Sequence, residues 1–311
     1  MEIDYAQSCV IAVCTYKRPH SLSKAIEAVS NLIFPNDLKI QFLVVDNDPS
    51  SSSKIVFDEG VRSLKIEAKY IEEYKRGIVH ARNAALTYAL NINADFLAFF
   101  DDDDHPDSNW IQSLWKCQKK HKATVSAGKM VYKWPVHTNL DEDTKRIYDS
   151  ILGDVKSGKI RSKCGAGNVI MDLQFVRLHN LSFNERLNFT GGEDSHFFRQ
   201  LSILGGKIIW CNEAVIFSNV DKKRCSAEFI FRRRYRVGYN SFIIDSLIYG
   251  RWKAVLKTAF FCLDRWVSIC FEVIKKKNNK ARLRRFNSEI RGRIHAMLGV
   301  KFKNYLETDG N

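Results

Sequence analysis

Two short stretches hold six carboxylates suited to chemistry. In "LAFFDDDDHPDSNW" (97–110) four apolar residues run into Asp101–Asp104, and in "FTGGEDSHFF" (189–198) Glu193 and Asp194 follow Gly191 and Gly192. Adjacent carboxylates repel one another unless something positive sits among them. The apolar run reads as a strand, so alternate side chains leave on opposite faces, and Asp101 and Asp103 share a face that Asp102 does not. Two carboxylates with oxygens to spare suit a hard divalent cation, Mg2+ or Mn2+. Such an ion takes one or two protein carboxylates and leaves its other positions to water and substrate phosphates. An exposed acidic turn is the ordinary alternative, weakened here because the acids cap a buried strand. Glu193 and Asp194 open an apparent helix, where a carboxylate is ordinarily a cap or dipole partner. Behind two glycines that admit a close backbone, they also suit a general base acting on a hydroxyl. In "RGIVHARNAAL" (76–86), Arg76 lies in a loop and Arg82 in the following helix, with Gly77 as hinge. Arg82 suits a phosphate or the aspartate cluster, with a surface salt bridge as the plain alternative.

The elements that must position these groups follow from the hydrophobic pattern. "CVIAVC" (9–14), "KIQFLVVDND" (39–48), "KYIEE" (69–73) and "DFLAFF" (95–100) read as strands. "SLSKAIEAVSNLI" (21–33) and "GIVHARNAALTYAL" (77–90) read as helices. This β-α-β-β-α-β order predicts a largely parallel sheet with helices on its faces. Three of the strands end in polar groups: Cys14–Arg18, then Asp46 and Asp48, then Asp101–Asp104. Ligands of open α/β sheets bind outside the carboxyl ends of strands, so these ends define one crevice. Beyond residue 110, "TVSAGKMVY" and "AGNVIMD" read as strands, "EDSHFFRQLSIL" as a helix and "GKIIWCNEAVIF" as a strand pair. Residues 135–163 read as an irregular flap, and the chain after about 226 as helical.

Bulk properties set the surroundings. With 311 residues, 45% of them hydrophobic, the chain can bury a substantial core, and no repeat suggests a solenoid. The net charge of +14 is lopsided: from Lys222 onward 22 Lys and Arg face 7 Asp and Glu, whereas the earlier part is nearly neutral. A module this basic attracts nucleic acid or an anionic membrane. The eight cysteines form no CxxC pair and several lie in apolar runs, so zinc-knuckle and redox motifs are excluded. With the polar opening "MEIDYAQ", which does not resemble a signal peptide, this predicts a reducing, cytoplasmic setting. The most apolar stretch, "AVLKTAFFCLDRWVSICFEVI" (254–274), is broken by Lys257, Asp264, Arg265 and Glu272, well short of the ~18 uncharged residues of a span. It predicts an amphipathic helix, packed on its own domain or lying in an anionic membrane interface.

Taken together and in order, "VIAVCTYKRPHSL", "LVVDND", "RGIVHARNAAL", "FFDDDDHPDSNW", "GAGNVIM", "TGGEDSHFF" and "NEAVIF…FRRRYRVGYN" resemble family 2 glycosyltransferases over about residues 8–241. The likeness is greatest to bacterial, non-processive members that build surface polysaccharides or lipid-linked glycans. It implies an α/β fold of GT-A type, a Rossmann-like mixed sheet with helices on both faces, plus the basic helical segment. A catalytic domain over 1–225 is expected, with a donor half to about 110 and an acceptor half from 111, followed by a helical region over 226–311. The implied reaction is inverting transfer of one hexosyl group from a nucleotide-diphosphate sugar, with UDP expected, to a hydroxyl of a glycan or lipid-linked acceptor. In the resemblance Thr15, Tyr16 and Arg18 match the first donor loop, Asp46 the acid on the base, and Arg82 a donor-contacting arginine. Asp101, Asp102 and Asp103 match the DxD motif, with Asp103 as the direct Mn2+ or Mg2+ ligand and Asp101 nearer the nucleotide. Asp194 matches the catalytic base, with Glu193 beside it. Gly165, Gly167 and Asn168, with Gly191 and Gly192, fall on the acceptor side. Processive relatives carry Q-x-x-R-W and membrane spans; "RRRYRVG" stands here instead, so one sugar per encounter is expected.

Other functions fit less well. A sugar-phosphate nucleotidyltransferase would want a glycine-rich loop with a lysine after the first strand, and "TYKRPHS" has no glycine. A non-enzymatic nucleic-acid binder would expose aromatics among the arginines, whereas here the tryptophans fall on the apolar helical face. The expected partners are therefore a donor, an acceptor and an anionic membrane surface on the cytoplasmic face of the inner membrane, without nucleic acid.

Overall fold

The computed structural model describes residues 7–135, 155–274 and 280–302. Its strands begin with β1 (Gln7–Thr15), β2 (Leu38–Asp46), β3 (Glu67–Glu72), β4 (Phe96–Phe100) and β5 (Asp104–Pro106). They continue with β6 (Val125–Lys133), β7 (Ile160–Arg161), β8 (Asn168–Asp172) and β9 (Ile208–Asn219). The helices of the same region are α1 (Pro19–Ser30), α2 (Lys54–Gly60), α3 (Ile78–Asn91), α4 (Trp110–His121), α5 (Leu173–Leu178) and α6 (Glu193–Ile203). Three more follow: α7 (Ala227–Tyr249), α8 (Arg251–Ile274) and α9 (Lys280–Met297).

One sheet runs β3-β2-β1-β4-β8-β6-β9-β5, with β7 also on β9. The half from β3 to β4 is parallel, as the alternation of strands and helices requires. The rest is mixed, as the family resemblance implies and against a reading of the strand–helix alternation as parallel throughout: β8 lies antiparallel to β4 and β6, while β6 and β9 are parallel. "GKIIWCNEAVIF" is likewise one strand, β9, whose register against β6 shifts between Gly128 and Lys129.

Alternation along β1 builds both faces. Cys9, Ile11 and Val13 join a core with α1, α2 and α4, while Val10 and Ala12 join another with α3, α5 and α6. The sequence pattern missed α2 and α4. The first lies within a stretch whose "DPSSSS" reads as loop; the second buries Trp110, Ile111, Leu114 and Trp115, a helical spacing. Of the expected flap, 136–154 lies outside the described residues, and its end forms β7.

Helices α7 and α9 cross at two glycines. A methyl group on Gly238 would come 2.0 Å from the Glu289 carbonyl oxygen, and one on Gly292 equally near that of Tyr235. Helix α7 meets the turn before α6 through Asn240, whose side-chain amide donates to the Thr190 carbonyl at 2.9 Å.

Candidate active site

The ends of β1, β2 and β4 meet the N-termini of α3 and α6 around an open cleft of about 370 Å³. Thr15, Tyr16, Arg18, Arg82, Asp101, Asp102, Asp103 and Glu193 line it, so most of the expected donor and metal residues come together.

The four aspartates part as strand alternation predicts. Asp102 turns toward β1, where Thr15 Oγ1 donates to it at 2.8 Å and Arg18 Nη1 at 3.1 Å. Burial pushes its carboxyl up to about 6, with Arg18 opposing. Asp104 is buried in β5, and burial with the nearby Asp101 pushes it up to about 8. Asp101 and Asp103 remain open to the cleft, with 48% and 41% of their side chains exposed. Arg82 Nη2 donates to Asp101 at 3.3 Å, and Arg18 lies 3.6 Å from Asp103. Self-repulsion among the acids is thus relieved by arginines, while burial favours the neutral forms of Asp102 and Asp104. Two exposed carboxylates on one wall are an oxygen donor set that fits one hard divalent cation with its remaining positions left to diphosphate and water.

Across the cleft, Gly192 begins α6 at φ +85°, a conformation open to glycine, and the first helical residue, Glu193, lines the cleft with Asp194 next to it. Glu193 is buried and bonded to Arg82 Nη1; burial first, then Asp194, push it up to about 7 against the pull of Arg82. Asp194 is half-buried. The loop before β8 lies against Asp194 and Asp101: a methyl on Gly165 would sit 3.4 Å from Asp194 Oδ2, and one on Gly167 2.7 Å from Asp101 Oδ2. Gly191 is buried at the same turn.

Of the expected residues, Asp194, Gly165, Gly167, Gly191 and Gly192 lie beside the cleft rather than on its lining, and two more do not reach it. Asp46 is fully buried; its oxygens accept from Tyr70 Oη, the Asp48 amide and the Ser53 amide under α2. Asn168 is buried beneath α4, where it fills the irregularity between β6 and β9. It accepts from Trp110 Nε1 at 2.8 Å and donates to the carbonyls of Lys129 and Ala214 at 3.0 and 3.1 Å. Its side chain serves the scaffold.

Three residues had no sequence signal as site groups. Arg224, on the helical turn Lys222–Cys225 after β9, lines the cleft 3.9 Å from Asp103. In sequence it is one of many basic residues. Asn47 and Asn188 clamp the Arg76–Gly77 turn: Asn47 accepts from the Gly77 amide, while Asn188 accepts from Val79 N at 3.2 Å and donates to the Arg76 carbonyl at 2.9 Å. Arg76 itself stacks over the Tyr16 ring, 5.4 Å from its centre.

Comparisons with known proteins bear on the family and the fold. The family model described as glycosyl transferase family 2 matches residues 10–172. Among curated proteins, the chain is 28% identical over 303 residues to the succinoglycan biosynthesis protein ExoM of Rhizobium meliloti, spanning 94% of this chain and 93% of that one. It is 26% identical over 208 residues to WfgD of Escherichia coli, named a UDP-Glc:alpha-D-GlcNAc-diphosphoundecaprenol beta-1,3-glucosyltransferase, spanning 65% and 70% of the two chains. Among solved structures, TarS 1–349 of S. aureus in complex with UDP-GlcNAc aligns at TM-score 0.52 and 14% identity, over 96% of this chain and 93% of that one. The mannosyltransferase PcManGT from Pyrobaculum calidifontis, in complex with GDP-Man and Mn2+, aligns at TM-score 0.61 and 13% identity over 97% and 92%. The structural likenesses establish the GT-A fold.

Proposed function

The chain belongs to glycosyl transferase family 2, and on that premise we propose that it moves one sugar, with inversion, from a UDP-sugar to a hydroxyl of a glycan or lipid-linked acceptor. Surface polysaccharide or lipooligosaccharide synthesis is the setting we infer, in line with the names of ExoM and WfgD. The observation that carries this reading is the meeting in one cleft of Asp101 and Asp103, flanked by arginines, with Glu193 at the start of α6, and Asp194 next to it beneath a glycine loop. The UDP assignment is supported by the ligand of TarS and the name of WfgD.

In the proposed reaction, Asp194 takes the proton of the acceptor hydroxyl as its oxygen bonds to the anomeric carbon. The bond from that carbon to the β-phosphate oxygen breaks, and its electron pair leaves with the nucleoside diphosphate. A single displacement inverts the centre. Tyr16 and the clamped Arg76 turn form the wall for the nucleoside, while Arg18, Arg82 and Arg224 place positive charge beside the departing diphosphate. Asp103, with Asp101, would hold Mn2+ or Mg2+, which when bound supplies Lewis-acid stabilisation of diphosphate charge. Glu193 holds Arg82 in place. Gly165, Gly167, Gly191 and Gly192 leave room for the acceptor beside Asp194. A catalytic unit to about residue 225, followed by a helical region, completes the proposal.

A screen of nucleotide-sugar hydrolysis with Mn2+ and Mg2+ tests it. Wild type should turn over a UDP-sugar only with metal, and Asp103→Ala should lose about 10²-fold or more, the scale of removing one electrostatic stabiliser. Near wild-type turnover by Asp103→Ala would remove the metal assignment.

A further inference from the structure

Helix α8 is mounted inside out. Ala254 and Thr258 are buried, Lys257 pairs with Asp245 of α7 at 2.9 Å, and Arg265 lies over the rings of Phe261 and Phe286. The stripe carrying Lys257 and Arg265 therefore faces the protein. Trp252, Leu256, Phe260, Leu263, Trp266 and Val267, spaced as one helical stripe, stand 40–84% exposed. Water alone would favour the opposite rotation, because large apolar side chains gain most from burial. In this one Ala254 and Thr258 pack inward and Lys257 reaches Asp245.

We propose that this stripe docks α8 flat in the interfacial layer of an anionic lipid bilayer. Charge selects that occupant. Arg251 and Lys253 are exposed at the start of the stripe, Asp264 is an exposed acid beside it, and the chain from Lys222 onward carries 22 basic against 7 acidic residues. A second copy of the chain seated on the same stripe would bring two such basic modules together, whereas an anionic surface neutralises one. Aromatic residues at both ends of an apolar stripe suit the headgroup boundary. Among the described residues no helix is long and apolar enough to cross a membrane, so α8 lies on the bilayer. Docking would hold the cleft near a lipid-linked acceptor, and that consequence rests on the acceptor reading above; docking itself does not.

The test uses the full chain and vesicles of phosphatidylcholine, alone or mixed with phosphatidylglycerol, in flotation across a salt series. Wild type should float with the anionic vesicles and less so as salt rises, and brominated lipids should quench its tryptophan fluorescence. Phe260→Glu with Leu263→Glu should cut flotation at least tenfold while metal-dependent UDP-sugar hydrolysis, measured without vesicles, persists. If that variant does not fold, quenching of the wild type decides alone. Failure of wild type to float at low salt, or flotation without quenching, overturns docking. A concentration-dependent dimer made monomeric by the same substitutions overturns it in favour of a second copy. Hydrolysis that is absent while flotation persists counts against the proposed reaction only.

Discussion

Glu193 and Asp194 are neighbours in sequence with different surroundings. Glu193 is buried and bonded to Arg82, while Asp194 lies beneath the Gly165 loop and, among the described residues, forms no ion pair with an arginine. The Glu193 carboxylate is already engaged by a buried guanidinium and is less free to meet an acceptor hydroxyl, although burial raises its affinity for a proton. Asp194→Asn should therefore keep donor binding, read by calorimetry, and lose transfer by about 10²- to 10⁴-fold. Glu193→Gln should weaken donor binding by loosening Arg82. Transfer that survives Asp194→Asn and vanishes with Glu193→Gln would move the base by one residue. The carboxylates opposed across the cleft were legible at this scale, because acids that end a buried strand or open a helix behind glycines are unusual in composition. Asp46 was not: nothing in "LVVDND" tells which face its side chain leaves on, and it leaves beneath α2.

Both site residues that the fold diverts lie under helices the sequence pattern missed. Asp46 is covered by α2 and Asn168 by α4, on the same face of the sheet. In "GAGNVIM" a polar residue at a strand start looks available; only the indole of Trp110 and two carbonyls at the β6–β9 irregularity show its engagement. Asn168→Ala would leave one buried donor and two acceptors unmatched. A loss of about 2–4 kcal/mol is expected, since each unsatisfied buried group costs ~1–3 kcal/mol and some will relax. Chemical denaturation should register it, with the Kd for UDP little changed at temperatures where the variant is folded. A large loss of UDP affinity with full stability would return Asn168 to the cleft. The spacing of Trp110, Ile111, Leu114 and Trp115 was the available signal for α4; the serine-rich start of α2 carried a loop signal instead.

At the scale of the whole molecule, one carboxylate ties the C-terminal helices together. Asp245 of α7, almost fully buried, meets Arg199 of α6 and Lys257 of α8 at 2.9 Å and Arg293 of α9 at 3.4 Å. Asp245→Ala would leave three cations facing one another. Removing one partner of a buried pair costs ~3–5 kcal/mol; Arg199 and Lys257 still reach water, so about 3 kcal/mol is expected here. Limited proteolysis should then cut within α7–α9 faster than in wild type. Unchanged cutting and an unchanged Tm would show that helix packing at Gly238 and Gly292 suffices.

By itself the sequence determined the family resemblance, the parallel half of the sheet and the acids of the cleft. These depend on local periodicity and on polar groups placed at strand ends, which neighbours in the chain are enough to set. Tertiary structure alone decided that Asp46 and Asn168 are enclosed, that Arg224 reaches Asp103, and that α8 turns its apolar stripe outward. Each of those depends on which distant element covers a side chain; α8 shows this, with Ala254 and Thr258 packed inward and Lys257 paired to a residue on another helix.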